Sequence, residues 1–301
     1  MKKRFNLILV IISILITTIF SLYKISELNK EHQQEYLGYK NVYQTHCVNS
    51  KDFNRDDCLN LEQDIIMKEK PEFYQTLTFF SVYGGVVLDF LAFIILAFLI
   101  IYELYRLFKD QIINNLLLKE KYNDFLKFIF KKSYKYIFLF PFILLMIILY
   151  LFFTTRVGNF LYGLDGFNFQ PILFFILYIL NAFILSAFYI NVILCILRYK
   201  HNYFVSVSLS ILIFISLYLI FDVIIGTIFI DNILLKSNIG ELFSIVGIFY
   251  FKVNKFISPI IRVLFSFILY VISTFVLYFE YRDKEKLVID IEKNNKEELW
   301  L

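Results

Sequence analysis

The chain has 301 residues, 59% of them hydrophobic and 19% charged, with a formal net charge of +4. That balance is far from the composition of a soluble domain, and so small and dispersed a positive charge gives no footprint for nucleic acid. The apolar residues arrive in long blocks, and about 20 of them in a helix cover the hydrocarbon core of a bilayer. Lipid offers the backbone no hydrogen-bond partner but itself, so such blocks are helical. The class expected is all-α: a polytopic integral membrane protein with six transmembrane helices.

Lys2, Lys3 and Arg4 precede an uncharged run from Phe5 to Tyr23. It is longer than a secretory h-region and no small-x-small cleavage site follows, so an uncleaved first span over residues 5–23 is expected. Residues 24–72 are polar, with 7 Lys/Arg against 10 Asp/Glu. They are too many for a turn and show no repeat, and they read as an extracellular loop or small cap. Cys47 and Cys58 share this loop, where an oxidising exterior permits a disulfide that spacing does not compel. His46 beside Cys47 supplies only part of a zinc ligand set. Cys195, inside an apolar run, reads as a small buried hydrophobe.

The second run, residues 75–102, holds one charge, Asp89. Seventeen of the residues from Leu77 to Ile101 are Leu, Ile, Val or Phe. At roughly −0.3 to −0.6 kcal/mol each near the centre, they outweigh one Asp at about +2.5 to +3.5. Residues 103–135 are polar again, with 8 Lys/Arg against 4 acids. There Leu118, Tyr122, Phe125 and Ile129 recur on one helical face, and Lys119, Glu120, Asn123, Asp124, Lys127 and Lys131 fall largely on the other. The element reads either as a contact surface for a cytoplasmic partner or as an ordinary helix lying along the inner leaflet.

The third run covers residues 136–155, and a linker with Arg156, Gly158, Gly163, Asp165 and Gly166 follows. Pro171 opens the fourth, residues 172–197, in keeping with proline's place in a first helical turn. A basic turn of Arg198, Lys200 and His201 leads to the fifth, residues 203–230, broken only by Asp222. Leu242 to Phe251 is then apolar for only ten residues, too few to cross. It reads as a re-entrant piece bordering a pathway, or as a helix flat on the outer surface. Lys252, Lys255 and Pro259 separate it from the sixth run, residues 263–279, and residues 280–301 form a charged tail.

With the N-terminus inside, inner segments hold 18 basic residues and outer segments 12. The rule that basic loops stay inside therefore places both termini in the cytoplasm.

Asp89 and Asp222 are candidates for a functional role because a carboxylate is costly inside a membrane. No Lys or Arg is expected at matching depth. Asp89 either carries a proton or faces Asn181 or Asn191 of the fourth run, asparagines that serve more often as interhelical glue than as ligands. Asp222 reads as a pathway residue or as one facing the outer interface. The sequence contains no phosphate loop, no H-E-x-x-H, no C-x-x-C and no G-x-S-x-G. His32, His46 and His201 all sit outside the apolar runs. No catalytic, cofactor-binding or metal residue is expected, and the chain does not read as an enzyme.

Three segments carry a resemblance: Leu107 to Lys135 between runs two and three, Ile239 to Ser258 before run six, and LYFEYRDKEK from Leu277 to Lys286. In these and in its layout the chain resembles the permease subunit of a type-2 ATP-binding-cassette exporter, over nearly its whole length. It lacks the amphipathic elbow of the polysaccharide branch and the Pro-x-x-Arg of the inner element. Its large first outer loop is similar to the branch that handles peptides, bacteriocins, small toxic compounds or ions. The resemblance implies a bacterial plasma-membrane protein that pairs with a second permease copy, identical or related. ATP and Mg would be bound by a separate cytoplasmic ATPase subunit. Asn114, Asn115, Leu116, Leu117, Leu118, Lys119, Glu120 and Asp124 would couple to that subunit. The other expectation, from a different class, is a non-transporting sensor or immunity protein that recognises a ligand through its outer loop.

Overall fold

The computed structural model describes residues 2–49, 55–69, 71, 73–109, 122–155, 171–199, 202–235, 239–251 and 258–282. Helix α1 runs Lys2–Tyr43 and passes through a π-helical turn, Gln44–Asn49, towards α2 at Arg55–Lys68. Helix α3 (Phe73–Phe79) leads by a π-helical turn, Phe80–Gly84, into α4 (Gly85–Lys109). Then come α5 (Tyr122–Tyr134), α6 (Leu139–Thr154), α7 (Pro171–Tyr199) and α8 (Tyr203–Tyr218), which widens into a π-helix over Leu219–Leu235. A 3₁₀ turn, Gly240–Phe243, precedes α9 at Pro259–Tyr281. No strand occurs among the described residues.

Six helical stretches are long and apolar enough to cross a membrane: Ile8–Val48, Thr76–Tyr105, Tyr122–Thr154, Leu173–Tyr199, Tyr203–Asn232 and Pro259–Tyr281. The chain thus has the make-up of a multi-pass membrane protein. Its outer faces agree, with Phe153 81% and Phe204 76% exposed. Large apolar side chains shown over so much surface need a covering that water cannot give.

Three hydroxyls of α1 are arranged so that they cost little. The hydroxyls of Ser13, Thr17 and Ser21 donate to the carbonyls of Leu9, Ser13 and Thr17 at 2.7, 2.9 and 2.8 Å. Each back-bond to the preceding turn satisfies a hydroxyl without a partner helix. These residues and Ile25 form a buried row at four-residue spacing on α1, which packs against α4 and α6. The most extensive packing is between α7 and α9. Ala182, Ser186 and Ala187 on one, with Ser266 and Ser273 on the other, are buried and small enough to let two backbones approach. Between α4, α7 and α8 lies an aromatic core. The ring of Phe93 stacks on Phe214 at 4.0 Å between centroids, and Tyr189 meets Phe214 edge-on at 5.0 Å.

Two boundaries differ from expectation. Residues 24–43, expected as part of a loop or cap, continue α1 as helix. Glu, Leu, Lys and Gln predominate there, all good helix formers, and no Pro or Gly intervenes before Gly38. The last helix starts at Pro259 instead of Val263, because the Ser258 hydroxyl accepts the Ile261 N–H at 3.3 Å and proline suits the first turn.

Cys47 and Cys58 form a disulfide that ties α2 back to the end of α1. With Cys195 changed to Ser, we expect the denatured chain to take up no maleimide polymer until it is reduced, and two equivalents afterwards. Labelling of the unreduced chain would show that the pair is open.

Candidate functional site

From Ser244 to Phe251 the backbone leaves helical geometry, yet Ser244 to Phe249 and Phe251 are buried among the helices. A helix would satisfy its own amides. An irregular segment must find donors and acceptors elsewhere, at a cost of about 1–3 kcal/mol for each group left unpaired. The side chains that meet this demand come from four of the long helical stretches and the turn before α4.

Asp89 of α4, fully buried, accepts the Phe249 N–H on Oδ1 at 2.9 Å and the Tyr250 N–H on Oδ2 at 3.2 Å. Ser81 Oγ accepts the Phe251 N–H at 2.7 Å. Asp222, in the π-helix, accepts the Ile245 N–H at 3.1 Å. On the acceptor side, Asn181 of α7 donates to the Gly247 carbonyl at 2.7 Å, Tyr178 to Phe249 at 2.5 Å and Tyr189 to Ile245 at 3.3 Å. Arg262 of α9, 1% exposed, donates to the carbonyls of Glu241 and Leu242 at 2.9 Å each, and also to that of Val246. Five-donor guanidinium geometry suits a residue that must serve several carbonyls at once. The Tyr178 ring also stacks on Phe251 at 4.7 Å between centroids.

Two glycines make room for this. A Cβ at Gly85 would stand 2.8 Å from the Phe249 carbonyl oxygen and from backbone atoms of Tyr250. One at Gly247 would stand 2.8 Å from the Arg262 guanidinium. The segment therefore lies directly against α4, with no space for a side chain between the two backbones.

Sequence reasoning pointed to Asp89, Asp222 and Asn181, and the structure brings all three to one segment. It does not pair Asp89 with Asn181 or Asn191: its hydrogen bonds go to backbone amides, which no residue type advertises. No Lys or Arg was expected at the depth of the two carboxylates. Arg262 lies inside the bundle because α9 starts early, and it donates to the Val246 carbonyl, next to the Ile245 amide that Asp222 holds. Asp222, half-buried, accepts the Ile245 N–H. Ser81, Tyr178 and Tyr189 were missed, since nothing in the sequence separates them from other residues of apolar runs.

Asn191 belongs to a different set. It accepts from the Tyr134 hydroxyl at 2.5 Å and donates to Ser273 and Thr274 at 2.9 and 3.0 Å, joining α5, α7 and α9. Further along these helices Arg198, 1% exposed, pairs with Glu280 at 2.9 Å, and Tyr281 donates to the Leu194 carbonyl at 2.9 Å. Tyr122 of α5 donates to the Tyr281 carbonyl, so α5 is hydrogen-bonded to the end of α9. Glu103 of α4 takes Lys135 and the Tyr136 hydroxyl.

Of the expected coupling residues, Asp124 lies exposed on α5, 3.5 Å from Lys127. Asn114, Asn115, Leu116, Leu117, Leu118, Lys119 and Glu120 lie outside the described residues. On α5 itself, Phe125 and Ile129 are buried while Asn123, Asp124, Lys127 and Lys131 are exposed.

Comparison of the chain with family models, with curated proteins and with solved structures gives no match.

The adjacent glycines make a sharp test of the packing. Gly85→Ala drives a methyl into backbone atoms and is expected to destabilise by about 1–3 kcal/mol, the usual cost of overpacking. Gly84→Ala, whose nearest neighbour would stand at 3.6 Å on a flexible lysine, is expected to be close to neutral. Equal thermal midpoints for the two variants would contradict the close approach of Phe249 and Tyr250 to α4.

Proposed function

We propose that the chain is the permease subunit of an ATP-driven exporter and forms the path for a peptide, bacteriocin-like or other small toxic substrate. The observation that carries this reading is the buried, non-helical Ser244–Phe251, which precedes the last helix in sequence. Irregular backbone within membrane helices is tolerated where protein surrounds it or where it lines a watery cavity. In transporters such discontinuities commonly border the substrate site. Here the segment is clamped to the four helices it touches, so movement of any one of them changes the same set of hydrogen bonds. We read it as entering from the outer face and returning there.

The topology that goes with this reading has both termini in the cytoplasm. The Cys47–Cys58 disulfide supports it, because a disulfide persists in an oxidising compartment and this one lies beyond the first apolar run. With that orientation α5 and the end of α9 face the cytoplasm. Residues from Asn114 to Asp124 would rest on the separate ATPase subunit, which binds ATP and Mg. Hydrogen bonds from Tyr122 to Tyr281 and from Tyr134 to Asn191 join α5 to α7 and α9, giving a push at α5 a direct route to the helices that hold the segment. Six spans make half a pathway, so a second permease copy completes it.

A sensor or immunity protein is the second reading. What favours it is the disulfide-tied helical hairpin of α1 and α2, an outer element of the kind that recognises a ligand.

The two readings part on the ATPase. Under the exporter reading, the protein isolated in mild detergent brings an ATPase with it, and changing Leu116, Leu117 and Leu118 together to Asp lowers turnover at least about tenfold by removing an apolar contact of 2–3 kcal/mol. If the ATPase stays bound and active after the triple change, the contact lies elsewhere. If no ATPase accompanies the unaltered protein, the exporter reading fails.

A further inference from the structure

At the end of α9 away from the Ser244–Phe251 segment, a groove of about 590 Å³ opens between α5 and α9. Leu126 and Phe130 of α5 line one wall, and Leu277 and Tyr278 of α9 line the other. Arg282, exposed, stands where α9 ends. Lys127 and Lys131 each follow a groove-lining residue, which sets them about 100° further round α5, along the rim. Both are exposed. Asp124 stands beside Lys127, while Lys131 and Arg282 have no acidic partner among the described residues.

An apolar trough with a cationic rim matches an amphiphile that has a chain and an anionic head. The neighbouring surface says which amphiphile. Thr274, Phe275, Tyr278 and Phe279 of α9 are all exposed, so the trough continues the outer face of a helix long and apolar enough to cross a membrane. Along such a face acyl chains are already the solvent, and one of them need only follow the helix into the groove. Tyr278 and Tyr122 at the mouth have the amphipathic rings that gather at the headgroup level. Basic residues beside a membrane helix attract anionic headgroups.

We propose that this groove binds an anionic phospholipid. One acyl chain lies along Leu126, Phe130 and Leu277, and the headgroup phosphate sits at the Tyr122 end against Arg282 and Lys127, with Lys131 one turn further along the rim. The bound lipid fills the joint between α5 and α9, at the place where Tyr122 already holds the two together. The site stands whether or not the chain is an exporter, and its test does not use an ATPase.

Native mass spectrometry of the full chain in detergent, titrated with phosphatidylglycerol or phosphatidylcholine, measures the site directly. The first phosphatidylglycerol is expected to bind about tenfold more tightly than phosphatidylcholine, the worth of one or two basic contacts to a headgroup. The variant Lys127→Gln/Lys131→Gln/Arg282→Gln should lose that preference. Leu126→Trp, which keeps every charge but fills the trough, should weaken both lipids. Gel filtration confirms that each variant remains folded. Inorganic phosphate at millimolar concentration should not displace the lipid. Equal affinity for the two lipids in the unaltered protein would overturn the proposal. So would unchanged binding in the Leu126→Trp variant, which would place the lipid on the surface, or displacement by phosphate, which would make this a site for the free anion. A cross-link from the variant Leu126→Cys to a second copy of the chain would give the groove to protein and overturn it equally.

Discussion

A backbone amide inside an apolar bundle has no water to turn to, and the chain between Ser244 and Phe251 gives up the helical geometry that would have satisfied it. Much of what is polar within the apolar helices can be understood from that. Two carboxylates, a guanidinium, a carboxamide and the hydroxyls of a serine and two tyrosines project from separate helices and the turn before α4, and they converge on this stretch of main chain. Each would be expensive alone. Asp89 at the middle of an apolar run costs about 2.5 to 3.5 kcal/mol by insertion scales. Two amide hydrogen bonds, at about 0.5 to 1.5 kcal/mol each to a neutral acceptor and about 1.5 to 3 to a charged one, offset much of it. The costly residue and the costly backbone cancel one another.

This mutual dependence also positions the helices. Arg262 is held by three carbonyls from the 3₁₀ turn and the segment, and it sits in the first turn of α9. Asp89 holds the other end of the segment to α4. The segment therefore acts as a strap between α4 and α9, drawn against α7 by Asn181 and Tyr178. At the opposite end of α9, Arg198 with Glu280 and Tyr281 with Leu194 repeat the bond between α7 and α9. The pair α7–α9 is thus fastened at both ends and packed by small residues between, whereas α8 shows lipid-sized side chains over much of its surface.

The helices themselves were legible because an apolar block long enough to cross a membrane has only one way to satisfy its backbone. Asp89 stood out for its cost and the ten-residue Leu242–Phe251 for its shortness. Their connection was hidden, since an amide N–H looks the same at every position of a sequence. The sixth run was read from residue 263, with Arg262 outside it, because charge ordinarily marks the end of a span. Here the preceding Ser258-Pro259 was the sign that a helix had already begun. The polar half of α1 was read as loop or cap for a similar reason: composition tells what surrounds a residue more reliably than what its backbone does. The groove between α5 and α9 had no signature at all, because its two walls lie about 150 residues apart in sequence and meet only through packing.

Amide hydrogen exchange followed by mass spectrometry tests the central claim most directly. If side chains from the helices hold the main chain of Ser244–Phe251, its amides at Ile245, Phe249, Tyr250 and Phe251 will exchange as slowly as those of α7. Replacing Asp89 by Ala will then release Phe249 and Tyr250 while leaving α7 protected. Exchange of the segment in the unaltered protein at the rate of an open loop would contradict the account.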